Sequence, residues 1–222
     1  MSQKGEQSDD QSQADVSKLK ILTAKDAMTI VPPPVGPEEN KLQYSYSFWF
    51  SQKQKGSSSN NNNSYEEMIK HIGAFSSVQQ FWAYYCHMSR PSQLPSPSDI
   101  HLFKCGIKPL WEDDANKDGG KWIIRLKKGI SPRCWEYLIL AIIGEQFFVG
   151  NEICGAVISI RPHEDIISVW NRTSSDRALT DKIRDTMTRV MTLPVNTVIE
   201  YKAHNQSLKD KSSYRNTDVF LR

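Results

Sequence analysis

A tryptophan followed directly by a glutamate is the pair of neighbouring side chains in this sequence best suited to binding a ligand. Trp111 and Glu112 stand in the polar stretch PLWEDDANKDGG, where a purely internal tryptophan would be out of place. An indole can stack on a flat cationic ring, and an adjacent carboxylate can accept two hydrogen bonds from N–H groups of that ring. The pair predicts recognition of such a ring; the alternative is that Trp111 only anchors the loop to the core.

Other residue patterns give little support for metal binding or catalysis. The segment DANKDG is similar to the first half of an EF-hand loop, but the twelfth position, which must be a bidentate carboxylate, is Arg125. The five histidines lack metal-ligand spacing, and no nucleophile motif or glycine-rich nucleotide fingerprint occurs. We expect no metal, no cofactor and no enzymatic activity, with a Cys/His enzyme left open by spacing alone.

The charge is distributed unevenly. A formal net charge of +3 over 222 residues is too small to indicate general nucleic-acid binding. Five basic residues nevertheless fall in one short stretch that contains no acid: Lys121, Arg125, Lys127, Lys128 and Arg133. This basic cluster either faces phosphates or forms a solvated strand-and-turn surface.

Composition places the chain among non-secreted globular proteins. With 38% hydrophobic residues, 222 residues suffice for one medium domain or at most two small ones. We find neither an apolar run long enough to span a membrane nor a signal peptide. The four cysteines are widely spaced, which favours reduced thiols and predicts a cytoplasmic location, with the nucleus as a second compartment.

Helix caps and apolar periodicity predict three helices, and β-branched or aromatic runs predict strands between them. The helices begin at Ser77, at Ser131-Pro132 and at Thr173 to Asp176. The strands are predicted at 44–50, 121–126, 155–161, 165–171 and 197–202. Because strands follow one another directly, the sheet should be largely antiparallel with helices packed on one face. The predicted fold class is α+β.

The ends of the chain differ in composition from its middle. Residues 1–36, which are polar up to the linker VPPPVGP at 31–37, are predicted to form a disordered N-terminal tail. The domain is predicted to span 37–205, followed by a polar C-terminal tail over 206–222. Inside the domain, KGSSSNNNNS at 55–64 is predicted to be an exposed, mobile loop.

Four motifs resemble the eukaryotic translation initiation factor 4E family, which binds the mRNA 5′ cap. They are FWAYY, PLWEDDANKDGGKW, ICGAVISIR and EDIISVWNR, and the match runs in order from about Gly36 to Ser213. The chain is most similar to the 4E-homologous protein class, which includes the plant novel cap-binding proteins, because Tyr65 stands where ordinary 4E has a tryptophan. The resemblance implies a curved antiparallel sheet with three long helices packed on its convex face.

The resemblance also implies a binding pocket for 7-methylguanine. The base would stack between Tyr65 and Trp111, while Glu112 would accept hydrogen bonds from its N1 and N2 protons. Trp170 would contact the methyl group. Since methylation leaves the base positively charged, cation–π attraction adds to stacking, roughly 1–3 kcal/mol per stacked base.

The phosphate end of this implied pocket departs from ordinary 4E. Arg161 and Lys121 match the basic residues that contact the phosphates. A lysine that ordinary 4E places five residues after the arginine is Ile166 here. Because one positive contact is missing and Tyr65 replaces a tryptophan, we expect weaker cap binding than in ordinary 4E.

A second implied surface would bind a partner helix. Val78 and Trp82 match the positions that hold the tyrosine-x4-leucine-hydrophobic helix of 4E-binding proteins, and Gly144 matches a glycine beside them. The acid that grips a basic residue of that motif aligns with Tyr137, one position after Glu136. This leaves binding of the 4G scaffold open.

The resemblance therefore favours a monomeric, non-enzymatic cap-binding regulator of translation. The first hypothesis is a repressor that occupies the cap without recruiting 4G efficiently. The alternatives are a genuine initiation factor for a subset of messages and an adaptor that acts through Trp82. The expected partners are capped mRNA and 4E-binding proteins, with the 4G scaffold and GYF-domain repressors as further candidates and no membrane. The 55–64 loop is expected to become ordered when cap binds.

Overall fold

One antiparallel sheet organises the molecule. The computed structural model describes residues 21–52 and 64–221. The strands are β1 (Lys41–Gln52), β2 (Lys70–Ser77), β3 (Ser98–Lys104), β4 (Gly120–Lys127), β5 (Ile153–Ile160), β6 (Glu164–Asn171), β7 (Val198–Ala203) and β8 (Asp218–Leu221). Their order across the sheet is β2-β1-β3-β5-β6-β4-β7-β8. The predicted α+β class is confirmed, and each of the five predicted strands is present.

Side-chain capping explains where two of the three longer helices begin, whereas the third has Pro132 in its first turn and no side-chain cap. The helices are α1 (Tyr65–Met68), α2 (Val78–Tyr85), α3 (Ser131–Ile143), α4 (Arg177–Val190) and α5 (His204–Asp210). The Ser77 hydroxyl accepts a hydrogen bond from the Gln80 N–H at 3.1 Å, and the Asp176 carboxylate accepts one from the Leu179 N–H at 3.0 Å. The α2 helix is shorter than its apolar stripe predicts, because the backbone tightens into turns after Tyr85.

The three predicted helices, α2, α3 and α4, cover one face of the sheet. Successive strand residues point to opposite faces, so Trp122 and Ile124 of β4 join the core beneath the helices. Phe81, Trp135 and Ile183 bring the three helices into the same core, and all three side chains are fully buried. The residues that alternate with this core set, Lys121 among them, therefore belong to the opposite face.

Strands β2, β3 and β8 were missed by the sequence patterns. Strands β2 and β3 pair on either side of β1, as the register of both ladders shows. In β2 the alternation is broken by Gly73, where an added Cβ would lie only 2.2 Å from the Tyr84 ring. The glycine is needed for this close approach. Because glycine has low strand propensity, the sequence pattern did not predict β2.

The N-terminal boundary of the fold differs from the predicted one at residue 37. A 3-10 helix spans Ala24–Thr29, and Ala24 and Ala27 are buried in a small cluster with Trp49, Ile69 and Leu110. The segment also pairs along the outer edge of β2, where the Ala24 N–H donates to the Ile69 carbonyl at 3.0 Å. Of the predicted tail, residues 1–20 lie outside the described ranges.

The C-terminal boundary also lies beyond the predicted residue 205. Helix α5 and strand β8 follow that position, and β8 pairs antiparallel with β7. Residues 206–221 are therefore part of the domain, held by contacts to β7 that a polar composition does not reveal. The predicted mobile loop lies outside the described residues except for Ser64, so its ordering by cap stays a prediction. None of the described helices is long and apolar enough to cross a membrane.

Candidate functional site

A cavity of about 510 Å³ lies on the face of the sheet opposite the helices. Its floor is formed by residues of β1, β3, β4, β5 and β6 that alternate with the core residues. The structure brings together at this cavity six residues that were predicted to form a cap pocket: Tyr65, Trp111, Glu112, Lys121, Arg161 and Trp170.

Tyr65 reaches the cavity from the first position of α1 and is 49% exposed. The next two residues hold this short helix in place. Glu66 is ion-paired with Lys108 at 2.8 Å, and Glu67 is ion-paired with Lys25 at 2.6 Å. Because Lys108 belongs to the segment that carries Trp111, the first ion pair ties the two aromatic sides of the cavity together.

Residues 105–119, here called the Trp111 loop, connect β3 to β4 and are braced by their own polar side chains. The buried Asn116 amide donates to the carbonyls of Lys108 and Leu110, both at 2.8 Å. The Asp113 carboxylate accepts a hydrogen bond from the Lys108 N–H at 3.0 Å. The loop is therefore shaped by hydrogen bonds within itself, and the DANKDG segment serves this purpose.

Trp111 combines the two alternatives that the sequence left open. Its indole is half-buried against a small cluster that includes Ile107 and Trp170, and it also lines the cavity. Glu112 is exposed, and its carboxylate makes no hydrogen bond or ion pair within residues 21–52 and 64–221. The loop thus anchors the tryptophan and leaves the adjacent carboxylate available to a ligand.

Trp170 belongs to the cavity floor and is 5% exposed. Its ring packs edge-on against Phe103 with centroids 5.3 Å apart, and the His204 ring lies 4.3 Å away. Burial, with a smaller effect of Lys121, lowers the pKa of His204 to about 3, so this imidazole is neutral. Because Phe103 and His204 cover the Trp170 ring, only a small part of the indole can touch a ligand.

Lys121 extends from β4 into the aromatic part of the cavity and is also 5% exposed. Its amine lies 5.7 Å from the Trp111 ring centroid and 5.5 Å from that of Trp170. Burial and, to a smaller extent, the neighbouring Lys202 lower the pKa of Lys121 to about 7. The charge of this residue is consequently sensitive to any anion placed beside it.

Arg161 is oriented by partners that sequence analysis did not identify. Its guanidinium forms an ion pair with Asp99 at 2.7 Å and donates to the carbonyls of Ser98 and Ile160 at 3.1 and 3.0 Å. Guanidinium has five N–H donors, so donors remain for a phosphate. Asp99 could not be found from its spacing, because it meets Arg161 only through the pairing of β3 with β5.

The position of the missing lysine lies on the cavity side of the sheet. Ile166 is 5% exposed and faces Arg125 across the β4–β6 ladder. Arg125 is already paired with Glu164 at 2.8 Å and Glu200 at 3.0 Å. Of the basic cluster, Lys121 alone lines the cavity, and Lys128 is paired with Asp165 at 2.5 Å.

Two cavity residues come from the segment predicted to be a tail. Ser213 and Tyr214 line the cavity, and the Tyr214 ring centroid lies 5.4 Å from the Lys121 amine. His101 of β3 also lines it, and burial lowers the pKa of that imidazole to about 4. No sequence motif marks these three residues, although an aromatic residue within a polar C-terminal segment was a weak signal.

A second, smaller cavity of about 220 Å³ lies between α2 and α3. Trp82, which is 40% exposed, lines it together with Trp135 and Glu136. Val78 is half-buried one helical turn before Trp82, whereas the exposed Gly144 ends α3 and does not line the cavity. The structure therefore groups Trp82 with Glu136 more closely than with Gly144.

Metal binding and disulfide formation have no visible basis in the described part of the chain. Within it, no group of three or more histidine, cysteine or acidic residues could hold a metal ion. The four cysteines are free, with Cys134 and Cys154 buried, Cys105 half-buried and Cys86 exposed.

Comparison with known proteins agrees with the fold. The family model for eukaryotic initiation factor 4E matches residues 41–219. Translation initiation factor 4E-4 of Caenorhabditis elegans is 52% identical over 184 residues, which cover 83% of this chain and 86% of the relative. Translation initiation factor NCBP of Arabidopsis thaliana is 52% identical over 179 residues, which cover 81% and 80%.

Solved structures give the same result. Ascaris suum eIF4E-3 in complex with an m7G cap superposes with a TM-score of 0.71 at 30% identity, covering 82% of this chain and 98% of the other. C. elegans eIF4E-3 in complex with the 4E-binding protein Mextli and a cap analog has a TM-score of 0.72 at 30% identity, covering 82% and 99%. With a matching sheet, matching helices and these relatives, the chain belongs to the eukaryotic initiation factor 4E family, whose members are cap-binding translation factors and not enzymes.

Proposed function

We propose that this chain binds the 7-methylguanosine 5′ cap of mRNA and regulates translation initiation. The observation that carries the proposal is the cavity opposite the helices, where the aromatic residues Tyr65 and Trp111 meet a carboxylate and two basic side chains. The solved complexes of two nematode eIF4E-3 proteins with cap or cap analog support the same assignment.

The chemistry of each side of the cavity fits one part of the ligand. Tyr65 and Trp111 offer aromatic faces for the cationic base, and Glu112 offers an unpaired carboxylate for its N–H groups. Lys121 and Arg161 offer positive groups for the phosphates, and Trp170 offers a small apolar surface for the methyl group. Unmethylated guanine lacks the charge and should therefore bind more weakly.

Tryptophan fluorescence during titration with 7-methyl-GTP and with GTP tests the proposal. Selective quenching by the methylated ligand is expected, because Trp111 and Trp170 line the cavity. Trp111→Ala should abolish this selectivity, whereas Trp82→Ala, on the other cavity, should retain it. Equal responses to the two ligands in the wild type would contradict cap recognition and favour an adaptor function through Trp82.

We infer lower cap affinity than in ordinary 4E and a repressive role. Ile166 places an apolar side chain where a lysine would add charge, and Arg125 opposite it is committed to two carboxylates. A competing observation favours the initiation factor alternative, since both relatives at 52% identity bear the name of translation initiation factors.

Addition of the purified protein to a cap-dependent translation extract separates the two roles. A repressor lowers output from a capped reporter and leaves an internally initiated reporter unchanged. Restoration of translation in an extract depleted of its own 4E would instead support the initiation factor alternative. Trp111→Ala is the control in both assays, because either role requires the cap pocket.

The cavity between α2 and α3 is proposed to receive the helix of a 4E-binding protein. The solved complex of C. elegans eIF4E-3 with Mextli supports this class of partner. Glu136 lines the cavity beside Trp82 and could supply the acid that is absent at Tyr137. This cavity would hold the partner while the cap pocket holds capped mRNA. We propose that the protein acts in the cytoplasm, where capped mRNA is translated.

Pull-down with a tyrosine-x4-leucine-hydrophobic peptide tests the partner surface. Trp82→Ala should abolish peptide capture and keep retention on immobilised 7-methyl-GTP. Peptides from a 4G scaffold and from a GYF-domain repressor extend the same assay to the other candidates. Loss of cap retention together with peptide capture would mean that Trp82 has a structural role instead.

A further inference from the structure

Three aromatic rings lie within cation–π range of one buried amine. The ring centroids of Trp111, Trp170 and Tyr214 are 5.7, 5.5 and 5.4 Å from Lys121 Nζ. Within the described residues this amine makes no hydrogen bond and no ion pair, although it is 5% exposed. An ammonium that is buried without a counter-ion is costly, so the arrangement calls for a functional explanation.

Tyr214 reaches this position from a fixed segment. Residues 211–217, here called the strap, connect α5 to β8. Lys202, whose side chain is fully buried, forms an ion pair with Asp210 at 2.6 Å and donates to the carbonyl of Arg215. At the other end of the strap, the Thr217 hydroxyl donates to Glu200 at 2.8 Å. The strap is therefore held by β7 at both ends.

The contacts of Lys202 with Asp210 and with the Arg215 carbonyl, here called the Lys202 clamp, also determine which of two neighbouring lysines has a counter-ion. Lys202 faces Lys121 directly across the β4–β7 ladder, so two cationic side chains are neighbours. The Asp210 carboxylate accepts a hydrogen bond from Lys202 at 2.6 Å and makes none with Lys121. Lys121 is consequently left without a counter-ion while its neighbour is fully paired.

We propose that Tyr214 is a positioning residue of the pocket, which acts through Lys121. Its ring, held by the Lys202–Asp210 ion pair, keeps the Lys121 amine desolvated and unpaired until the phosphates of a bound nucleotide supply the counter-ion. The proposal rests on the proposed cap binding and assigns a role to a residue outside the motifs of the resemblance.

The charged and titratable groups around Lys121 give this arrangement a measurable signature. Burial first and Lys202 second lower the pKa of Lys121 to about 7, while Asp99 of β3 acts in the opposite direction. His204 of α5 is neutral, since burial lowers its pKa, and burial raises the pKa of the Tyr214 phenol. Phosphates beside Lys121 would raise its pKa again, so binding above pH 7 takes up a proton.

Proton uptake on binding fixes the direction of the pH dependence. As pH rises above 7, Lys121 is increasingly neutral in the free protein. It must then be protonated when the ligand binds, which lowers the affinity. The affinity for a phosphate-bearing ligand should therefore fall by up to about tenfold per pH unit for this one proton. The 7-methylguanosine nucleoside, which has no phosphate, should not show this part of the dependence.

The experiment measures dissociation constants for 7-methyl-GTP and 7-methylguanosine from pH 7 to 9. The ionisations of the ligand itself are the same in every titration. The difference between the pH profiles of a variant and the wild type therefore reports only ionisations of the protein. Tyr214→Phe keeps the ring and should keep the wild-type pH profile. Tyr214→Ala should flatten the 7-methyl-GTP profile, because Lys121 becomes hydrated and stays charged; Asp210→Asn, which frees the strap, should flatten it as well.

The outcomes distinguish this inference from the proposed function. Tyr214 is 37% exposed, so its replacement by alanine is compatible with folding, which thermal melting checks. A wild-type pH profile in both Tyr214→Ala and Asp210→Asn would overturn the inference. A flattened profile in Tyr214→Phe would also overturn it, since the hydroxyl and not the ring would then be responsible. Failure of the wild type to prefer 7-methyl-GTP over GTP would contradict cap binding itself.

Discussion

Two carboxylates line the pocket, and only one of them is available to a ligand. Asp99 is bound to Arg161 at 2.7 Å, whereas Glu112 has no partner among residues 21–52 and 64–221. Glu112 is therefore the group that can exchange its water for the N–H donors of a guanine. Asp99 instead orients a positive group, so the two acids have different roles.

Replacement of Glu112 by glutamine tests this difference. Hydrogen bonds to a charged group contribute about 1.5–3 kcal/mol, so Glu112→Gln should weaken 7-methyl-GTP binding by about 10-fold to 100-fold. Fluorescence titration measures the loss. Asp114→Asn is the matched control, because Asp114 is an exposed acid of the same loop whose ion pair is with Lys117. An equal loss in both variants would point to general charge and not to a contact.

At position 166, in contrast, a substitution is expected to strengthen ligand binding. Ile166→Lys should tighten 7-methyl-GTP binding and leave 7-methylguanosine binding unchanged, because the negative charge of the ligand is on its phosphates. The slope of log affinity against log salt should steepen, because salt screens the additional contact between lysine and phosphate. Ile166→Met is the control of similar size. An unchanged salt slope would mean that Glu164 and Glu200 neutralise the new lysine as they do Arg125.

At the scale of elements, the Trp111 loop depends on one buried amide. Asn116 holds two carbonyls of the loop, and its side chain is fully buried. The backbone carbonyls at Lys108 and Leu110 would lose their donor if the amide were removed. The positions of Trp111 and Glu112 therefore depend on the hydrogen bonds of Asn116.

Asn116→Ala should lower both stability and cap affinity. A lost pair of buried hydrogen bonds costs about 1–3 kcal/mol, and a protein of this size loses roughly 2–4 °C in melting temperature for each kcal/mol. Thermal melting and 7-methyl-GTP titration measure the two effects. Lys117→Ala, an exposed change in the same loop, should alter neither. Normal affinity in Asn116→Ala would show that the loop is positioned by the indole alone.

At the scale of the whole molecule, buried histidines link stability to pH. Burial lowers the pKa of His101 to about 4 and that of His204 to about 3. Above pH 6.5 both are neutral in the folded and unfolded states, so they contribute no pH dependence. As pH falls below 6.5, the unfolded chain binds their protons and the folded chain does not, so stability decreases.

Chemical denaturation between pH 7 and 5 tests this linkage. Each of the two histidines should contribute up to about 1.4 kcal/mol of lost stability per pH unit below its unfolded pKa. His163→Gln, at an exposed site in the turn before β6, is expected to leave the dependence unchanged. A free energy of unfolding that stays constant from pH 7 to 5 would show that these imidazoles are protonated inside the fold.

Sequence patterns predicted those parts of the molecule that are determined locally. Strand alternation and the helix caps at Ser77 and Asp176 depend on neighbours in the chain, and they were confirmed. Ser131 was wrongly predicted as a cap, because its hydroxyl donates to Asp165 instead. The resemblance located six cavity residues, but Asp99 and Tyr214 act through strand pairing and the Lys202 clamp. Such contacts join residues far apart in sequence, so polar composition wrongly suggested that the strap was a tail.

At the other end of the chain, the segment at 21–36 is also held by residues that are far from it in sequence. Its 3-10 helix packs on Trp49, Ile69 and Leu110, and Leu110 immediately precedes Trp111 of the cavity. A chain shortened to begin at residue 37 would expose this cluster and the unpaired edge of β2, inviting strand-to-strand association. The shortest soluble fragment that binds cap is therefore expected to begin near residue 21. A tag or a cleavage between 22 and 30 would disturb the packing on Leu110, and through it the position of Trp111 in the cavity.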